Sequence, residues 1–136
     1  VPTDQILFED VDIVSPCAMG AILNEQNISL LKTSIIGGAA NNQLATEEDG
    51  QRLFERGILY APDYVINGGG IISVSLEYMG DKTADDVRTQ IALIPDRLTD
   101  IFMRSDKQKI PTNVVADAMA ESIVAKGAAS RKPVSY

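Results

Sequence analysis

The chain has 136 residues, 45% of them apolar and 23% charged, a composition that folds around one core and is neither disordered nor collagenous. A formal charge of −7, with no Lys/Arg cluster to offset it locally, repels a phosphate backbone and argues against nucleic acid as a partner. No run reaches the roughly 18 apolar residues that span a bilayer, and the N-terminus shows no secretion signal, so a soluble chain without a membrane partner or a readable address is expected.

Two absences narrow the chemistry. With no histidine in the sequence, there is no Ser-His or Cys-His nucleophile pair and no imidazole for a catalytic zinc site. Cys17 is the single cysteine, so there is no intrachain disulfide or thiolate cluster, which fits a reducing, cytoplasmic compartment. Any acid or base has to come from elsewhere, and no metal site is expected.

In chain order, residues 12–15, 34–38 and 58–61 are apolar runs of strand length, each ending in Pro, Gly or small residues. Residues 24–32 and 46–56 read as the helices between them. Thr46 is placed as an N-cap, with Glu47, Glu48 and Asp49 in the first turn facing water, and Gly57 stands where a C-terminal glycine belongs. This β-α-β-α-β rhythm predicts parallel strands joined by crossover helices. Residues 62–80 are apolar nearly all round, as a helix packed into a core would be, although Gly68, Gly69 and Gly70 require a packing or ligand reason. Ala84, Val87, Ile91, Ile94, Leu98 and Ile101 mark one long helix starting at a Thr83 cap, with Asp85 and Asp86 in its first turn and a kink at Pro95. Pro111 opens a last helix with Val115, Ala118, Met119 and Ile123 on one face, and the tail from residue 130 is expected to fray.

The fold predicted is α/β: the second half of a Rossmann-like doubly wound domain with about three mainly parallel strands, followed by C-terminal α-helices. Open α/β sheets bind ligands beyond the carboxyl ends of their strands. There the sequence places "SPCAMG", "GGAANNQL" and "YAPDYVINGGG", three loops of small residues. Small side chains let a ligand approach the backbone, and the asparagines offer uncharged donors and acceptors suited to an amide or a ribose hydroxyl.

At these loops, "DVDIVSPCAMGAILN", "IIGGAANNQL" and "GILYAPDYVINGGGIISV" resemble, in order and spacing, the carboxyl-terminal half of the nucleotide domain in the Glu/Leu/Phe/Val amino-acid dehydrogenases, and are most like the leucine dehydrogenase branch. The resemblance runs from Val1 to the last helix. It implies an NAD-dependent oxidative deamination of a branched aliphatic L-amino acid to its 2-oxo acid, a homo-oligomer, and two segments: 1–80 as the second half of the NAD-binding domain and 81–136 as its helical extension. The family's Asn-Ala-Gly-Gly is here Asn67-Gly68-Gly69-Gly70. Its Gly-rich dinucleotide turn, catalytic lysines and aspartate lie upstream of the matched region, so no catalytic residue is assigned, and the chain is expected to be inactive without that upstream half. The alternatives are an aromatic (Phe or Trp) substrate, or a noncatalytic half-domain serving assembly or regulation.

The resemblance implies that Cys17 and Ala18 contribute backbone near the cofactor and that Asn41, with Asn42, contacts nicotinamide or ribose. It also implies that Asn67 faces nicotinamide and substrate, and that Ile71 and Val74 line the substrate side-chain pocket, where the glutamate enzymes carry a hydroxyl residue opposite Val74. The residues by themselves allow plainer roles. Asn41 and Asn42 could close a turn, Asn67 could cap a helix, and Ile71 and Val74 could be core. Cys17 reads as a small buried thiol, since no base is present to make it a nucleophile. Met19, Phe54, Tyr60, Tyr64 and Tyr78 read as packing.

Overall fold

The computed structural model describes residues 1–80 and 83–130. After a short 3-10 turn at Ile6–Phe8, strands β1 (Ile13–Val14), β2 (Ile35–Ile36) and β3 (Leu59–Tyr60) form one parallel sheet in the order β1-β2-β3. Ile13 pairs with Ile35 and Ile35 with Leu59; Val14 pairs with Ile36 and Ile36 with Tyr60. Helices α1 (Glu25–Leu30) and α2 (Glu47–Glu55) make the crossovers that parallel strands require. The sheet is therefore the expected α/β fragment, with shorter ladders than the apolar runs.

Local signals explain the crossovers. Asn24 caps α1 by accepting from the Asn27 N–H at 3.0 Å. Thr46 opens α2 in a capping box, where Asp49 Oδ2 accepts from the Thr46 N–H at 2.9 Å and its hydroxyl at 3.1 Å. Asp49 does not face water as the acidic run suggested: it is buried, and its other oxygen takes Arg52 at 2.9 Å. Gly57 closes α2 with φ +69°. Arg56 reaches back to the carbonyls of Ile28 and Leu31, satisfying acceptors at the end of α1.

The core lies between α1, α2 and one sheet face, built from Leu23, Ile28, Leu31, Ile36, Leu53, Ile58 and Tyr60. The opposite face carries Ile13, Ile35 and Leu59, all exposed, so the two-sided burial expected of parallel strands is not realised among the described residues.

Beyond β3 the helices depart from expectation in three places. The segment after Pro62 is two helices, α3 (Asp63–Ile66) and α4 (Gly69–Met79), broken at Asn67–Gly68. Instead of packing into a core, α4 exposes Ile71, Val74 and Tyr78, because what covers it within the described residues is α5 (Ala84–Ile91) on one side. Gly70 would meet nothing with an added Cβ, so packing in this chain does not explain it.

The long helix is likewise two, α5 and α6 (Ile94–Gln108), and the break falls at Ala92–Leu93 rather than as a kink at Pro95. Proline lies in the first turn of α6, where its missing N–H has no intrahelical acceptor to lose. Thr83 does cap α5, reciprocally with Asp86.

In α7 (Thr112–Ser130), Val115 and Ala116 pack with Ile101 of α6, whereas Ala118 and Ile123 are exposed. Helix α7 also packs against α2 and β3, and the Thr112 hydroxyl donates to the Tyr60 carbonyl at 2.7 Å. Of the tail expected to fray, residues 131–136 lie outside the described residues. No helix among the described residues is long and apolar enough to cross a membrane.

Candidate site at the carboxyl ends of the strands

The three loops do meet on one edge. Ala40 N–H donates to the Pro16 carbonyl at 2.9 Å, and Ala21 N–H to that of Asn42 at 2.7 Å, joining the loop after β1 to the loop after β2. Two glycines permit this approach: a Cβ on Gly38 would lie 2.1 Å from the Pro16 oxygen, and one on Gly20 would lie 2.8 Å from that of Asn41. The Gln43 side chain, fully buried, donates to the carbonyls of Gly38 and Ala40 and fixes the strand-end turn from beneath, while its Oε1 has no partner among the described residues.

The loop after β3 closes the arrangement. Asn67 donates through Nδ2 to Asn41 Oδ1 at 2.6 Å and to the Ala39 carbonyl at 3.2 Å. Among the described residues this leaves the Asn41 amide NH2 and the Asn67 side-chain carbonyl without bonded partners. An uncharged donor and an uncharged acceptor thus stand side by side at the strand ends. Asn67 is also the residue ending α3, so its local-cap role leaves its side chain at the strand-end edge.

The two asparagines divide their work. Asn42 adopts φ +54°, the left-handed conformation, and closes the turn, with its N–H held by Asp63 Oδ2 at 2.7 Å. Asn41 points its amide to Asn67. Asp63 is buried; its Oδ1 accepts from the Tyr60 hydroxyl at 2.7 Å. Burial first, then the hydrogen bond and charge of Asp63, push the Tyr60 hydroxyl above the ordinary tyrosine range, so it stays a donor.

Cys17 is exposed, not buried as the sequence suggested, because the loop after β1 stands clear of the core. Its thiol sits 3.4 Å from the Ser15 hydroxyl. That hydrogen bond, followed by one to the backbone of Ala39, draws the thiol below its ordinary range. Ala18, beside Cys17, is exposed as well.

Ile71 and Val74 follow Asn67 at spacings of four and three on α4, and both are exposed, which removes the core reading. Of the aromatic and methionine positions expected to pack, Tyr60 is buried and Phe54 half-buried. Met19 and Tyr78 are open, and Tyr64, though exposed, donates to Asp117 at 2.6 Å. A groove of about 640 Å3 runs along the unpaired edge of β1, from Ile6 and Val11 past Ile13 to Cys17 and Met19. Sequence reasoning missed Asp63, Tyr60 and Gln43; the one available signal was an acidic residue directly after Pro62 at a helix start.

An open parallel α/β sheet whose small-residue loops gather at the strand ends defines a Rossmann-like α/β fragment. Its sequence matches the Glutamate/Leucine/Phenylalanine/Valine dehydrogenase family over residues 1–130. It is 42% identical to the leucine dehydrogenase of Thermoactinomyces intermedius over 121 residues, 89% of this chain and 33% of that protein. It is 43% identical to the L-tryptophan dehydrogenase of Nostoc punctiforme over 132 residues, 96% of this chain and 37% of that protein. The crystal structure of the Nostoc punctiforme enzyme superposes with a TM-score of 0.87 at 44% identity, covering 96% of this chain and 39% of that one. A hetero-hexameric glutamate dehydrogenase from Thermus thermophilus shares the fold, with a TM-score of 0.68 at 19% identity over 96% of this chain and 33% of that one.

The chain belongs to the Glu/Leu/Phe/Val dehydrogenase family. It spans about a third of the length of the curated relatives it matches.

Proposed function

We propose that this chain is the second half of the NAD-binding domain, with its helical extension, of an L-amino-acid dehydrogenase that converts an apolar, leucine-like amino acid to its 2-oxo acid in the cytoplasm of its cell. The observation that carries the reading is the Asn41–Asn67 pair, held at 2.6 Å on the strand-end edge with one amide NH2 and one carbonyl free. That donor and acceptor match the two ends of a carboxamide, and the loops crossing beneath them are of small residues. The chain therefore fits the nicotinamide end of NAD; no Gly-rich turn in it fits the pyrophosphate. When bound, the cofactor supplies the hydride acceptor.

In this reading Asn41 and Asn67 orient the carboxamide and the reacting face. Cys17, Ala18 and Asn42 shape the backbone shelf beside them, and Ile71 and Val74 give the substrate side chain an apolar wall. A buried carboxylate opposite such a wall would be left without a partner, which disfavours a glutamate-like substrate. The lysines and carboxylate that handle protons belong to an upstream region, and the working enzyme is a homo-oligomer.

An aromatic substrate remains the second reading, favoured by the close superposition on the L-tryptophan enzyme. The test is NAD reduction by the longer protein carrying this chain, offered L-leucine, L-valine, L-phenylalanine and L-tryptophan. Aliphatic preference is expected. Preference for tryptophan would select the second reading, and no turnover with any of them would leave a noncatalytic role. In the active protein, Asn41→Ala should weaken NAD binding or slow turnover; unchanged kinetics would return Asn41 to turn closure.

A further inference from the structure

We propose that Asp63 is a positioning residue whose buried carboxylate holds the Asn41–Asn42 turn in register with Asn67. The kinetic part of the proposal rests on the function proposed above; the structural part does not.

Asp63 is 6% exposed, and both its oxygens are engaged, Oδ2 by the Asn42 N–H at 2.7 Å and Oδ1 by the Tyr60 hydroxyl at 2.7 Å. A carboxylate withdrawn this far from water is held by donors or not held at all, and bonds to the charged form are the strong ones. The bond to Asn42 falls where the backbone most needs support, since Asn42 sits at φ +54° without being glycine.

One short helix grips the turn at two points. At the start of α3, Asp63 takes the Asn42 N–H; at its end, Asn67 donates to Asn41 Oδ1 and to the Ala39 carbonyl. The Asn67 N–H itself bonds the Asp63 carbonyl at 2.9 Å, so a single helical turn separates the grips. The separation of the two site asparagines is thereby set by α3.

That helix is in turn anchored. Thr112 of α7 donates to the Tyr60 carbonyl at 2.7 Å, and the Tyr64 hydroxyl reaches the Asn113 carbonyl and Asp117. Cutting the Asp63 grip frees the turn while leaving α3 in place. Tyr60 supports Asp63 through its hydroxyl.

The test measures hydrogen exchange by amide in the longer protein carrying this chain, with Asp63→Ala and Asp63→Asn. Asp63→Ala removes the acceptor, and exchange of the Asn42 amide should rise by about tenfold or more, while amides of α2 (Glu47–Glu55) keep their parent rates. Asp63→Asn keeps an acceptor of the same shape, weaker for want of charge, and should raise it only a few-fold.

Should Asp63→Ala not fold, Asp63→Asn decides the matter: an Asn42 amide exchanging at the parent rate overturns the proposal. A rise spread equally over α2 overturns it too, because that marks a general loss of stability.

The kinetic readout is a double-mutant cycle with Asn41→Ala. If Asp63 acts through the turn, its roughly tenfold effect on kcat/KM shrinks to about twofold or less once Asn41 is alanine. Full additivity refutes action through Asn41. A parent protein without dehydrogenase turnover would refute the proposed function, and the exchange measurement would still judge Asp63.

Discussion

Replacing Gly38 by alanine should destabilise the protein far more than a single methyl group normally does. The added Cβ would stand 2.1 Å from the oxygen of Pro16, 2.5 Å from its nitrogen and 2.7 Å from its carbonyl carbon. All three are backbone atoms, so no side chain can swing aside; the loops after β1 and β2 must separate by more than an ångström before contact becomes ordinary. That separation stretches the Ala40 N–H bond to Pro16, now 2.9 Å, and pulls the Gly38 carbonyl from the buried Gln43 amide at 2.8 Å. Overpacking costs about 1 to 3 kcal/mol, and each buried hydrogen bond left broken costs about as much. A loss of roughly 3 kcal/mol or more follows, a fall of about a few degrees or more in the Tm of the longer protein. Gly70→Ala is the internal control. Its Cβ meets nothing within 4 Å in the first turn of α4, so it should raise stability by about 0.4 to 1 kcal/mol. Thermal melts of both variants of the longer protein provide the measurement. Equal Tm values would show that the two loops do not meet at Gly38, and the geometry of the strand-end edge would be wrong.

Further expectations concern the surface of the site. Because Ser15 and the Ala39 backbone draw the Cys17 thiol below its ordinary range, its thiolate should form at lower pH than that of a free cysteine. Alkylation followed against pH should therefore rise earlier than for a free thiol and move to higher pH in Ser15→Ala; coincident profiles would discard the contact. Val74→Ser in the longer protein should depress turnover of branched aliphatic substrates by placing a hydroxyl where methyl groups pack. Untouched aliphatic turnover would remove Val74 from the pocket wall. The 136-residue chain by itself should self-associate through β1, whose outer edge is unpaired among the described residues and whose Ile13 is 58% exposed. Light scattering that shows a clean monomer at micromolar concentrations, with the amides of residues 11–15 exchanging freely, would contradict this.

Much of this architecture is written locally. Thr46 and Thr83 sit three residues ahead of Asp49 and Asp86, and both pairs form reciprocal caps, which is why two helix starts were legible. Glycine and proline punctuate the strand ends for reasons equally local. What failed left no mark in the residue pattern. Asp49 looked solvated because an acidic first turn is ordinarily exposed, and its burial with the Thr46 cap and Arg52 as partners is not written in residue type. The break at Ala92–Leu93 was invisible because Val87, Ile91, Ile94 and Leu98 keep helical spacing straight across it. Asn41, Asn42 and Asn67 were each singled out from the sequence, but the bonds of Asn67 to Asn41 and of Asn42 to Asp63 span more than 20 residues and have no local signature.

Two groups of exposed apolar side chains among the described residues run up to loops of the strand-end edge. One follows β1 and its groove, from Ile6 through Ile13 to Met19; the other follows α4, from Ile71 through Val74 to Tyr78. Apolar groups of this size remain uncovered where a surface is used for contact, and an edge strand with a bare apolar face is a contact waiting for a neighbour. Both sets bracket the Asn41–Asn67 pair, which is itself tied down from below by Asp63, Gln43 and the closely crossed backbones at Gly38. Rigid support on the core side combined with bare apolar flanks is what a site needs if its remaining walls come from other parts of the protein. If the function proposed above holds, the chain supplies a preorganised floor, and substrate selectivity would be decided jointly by α4 and by the walls that meet it.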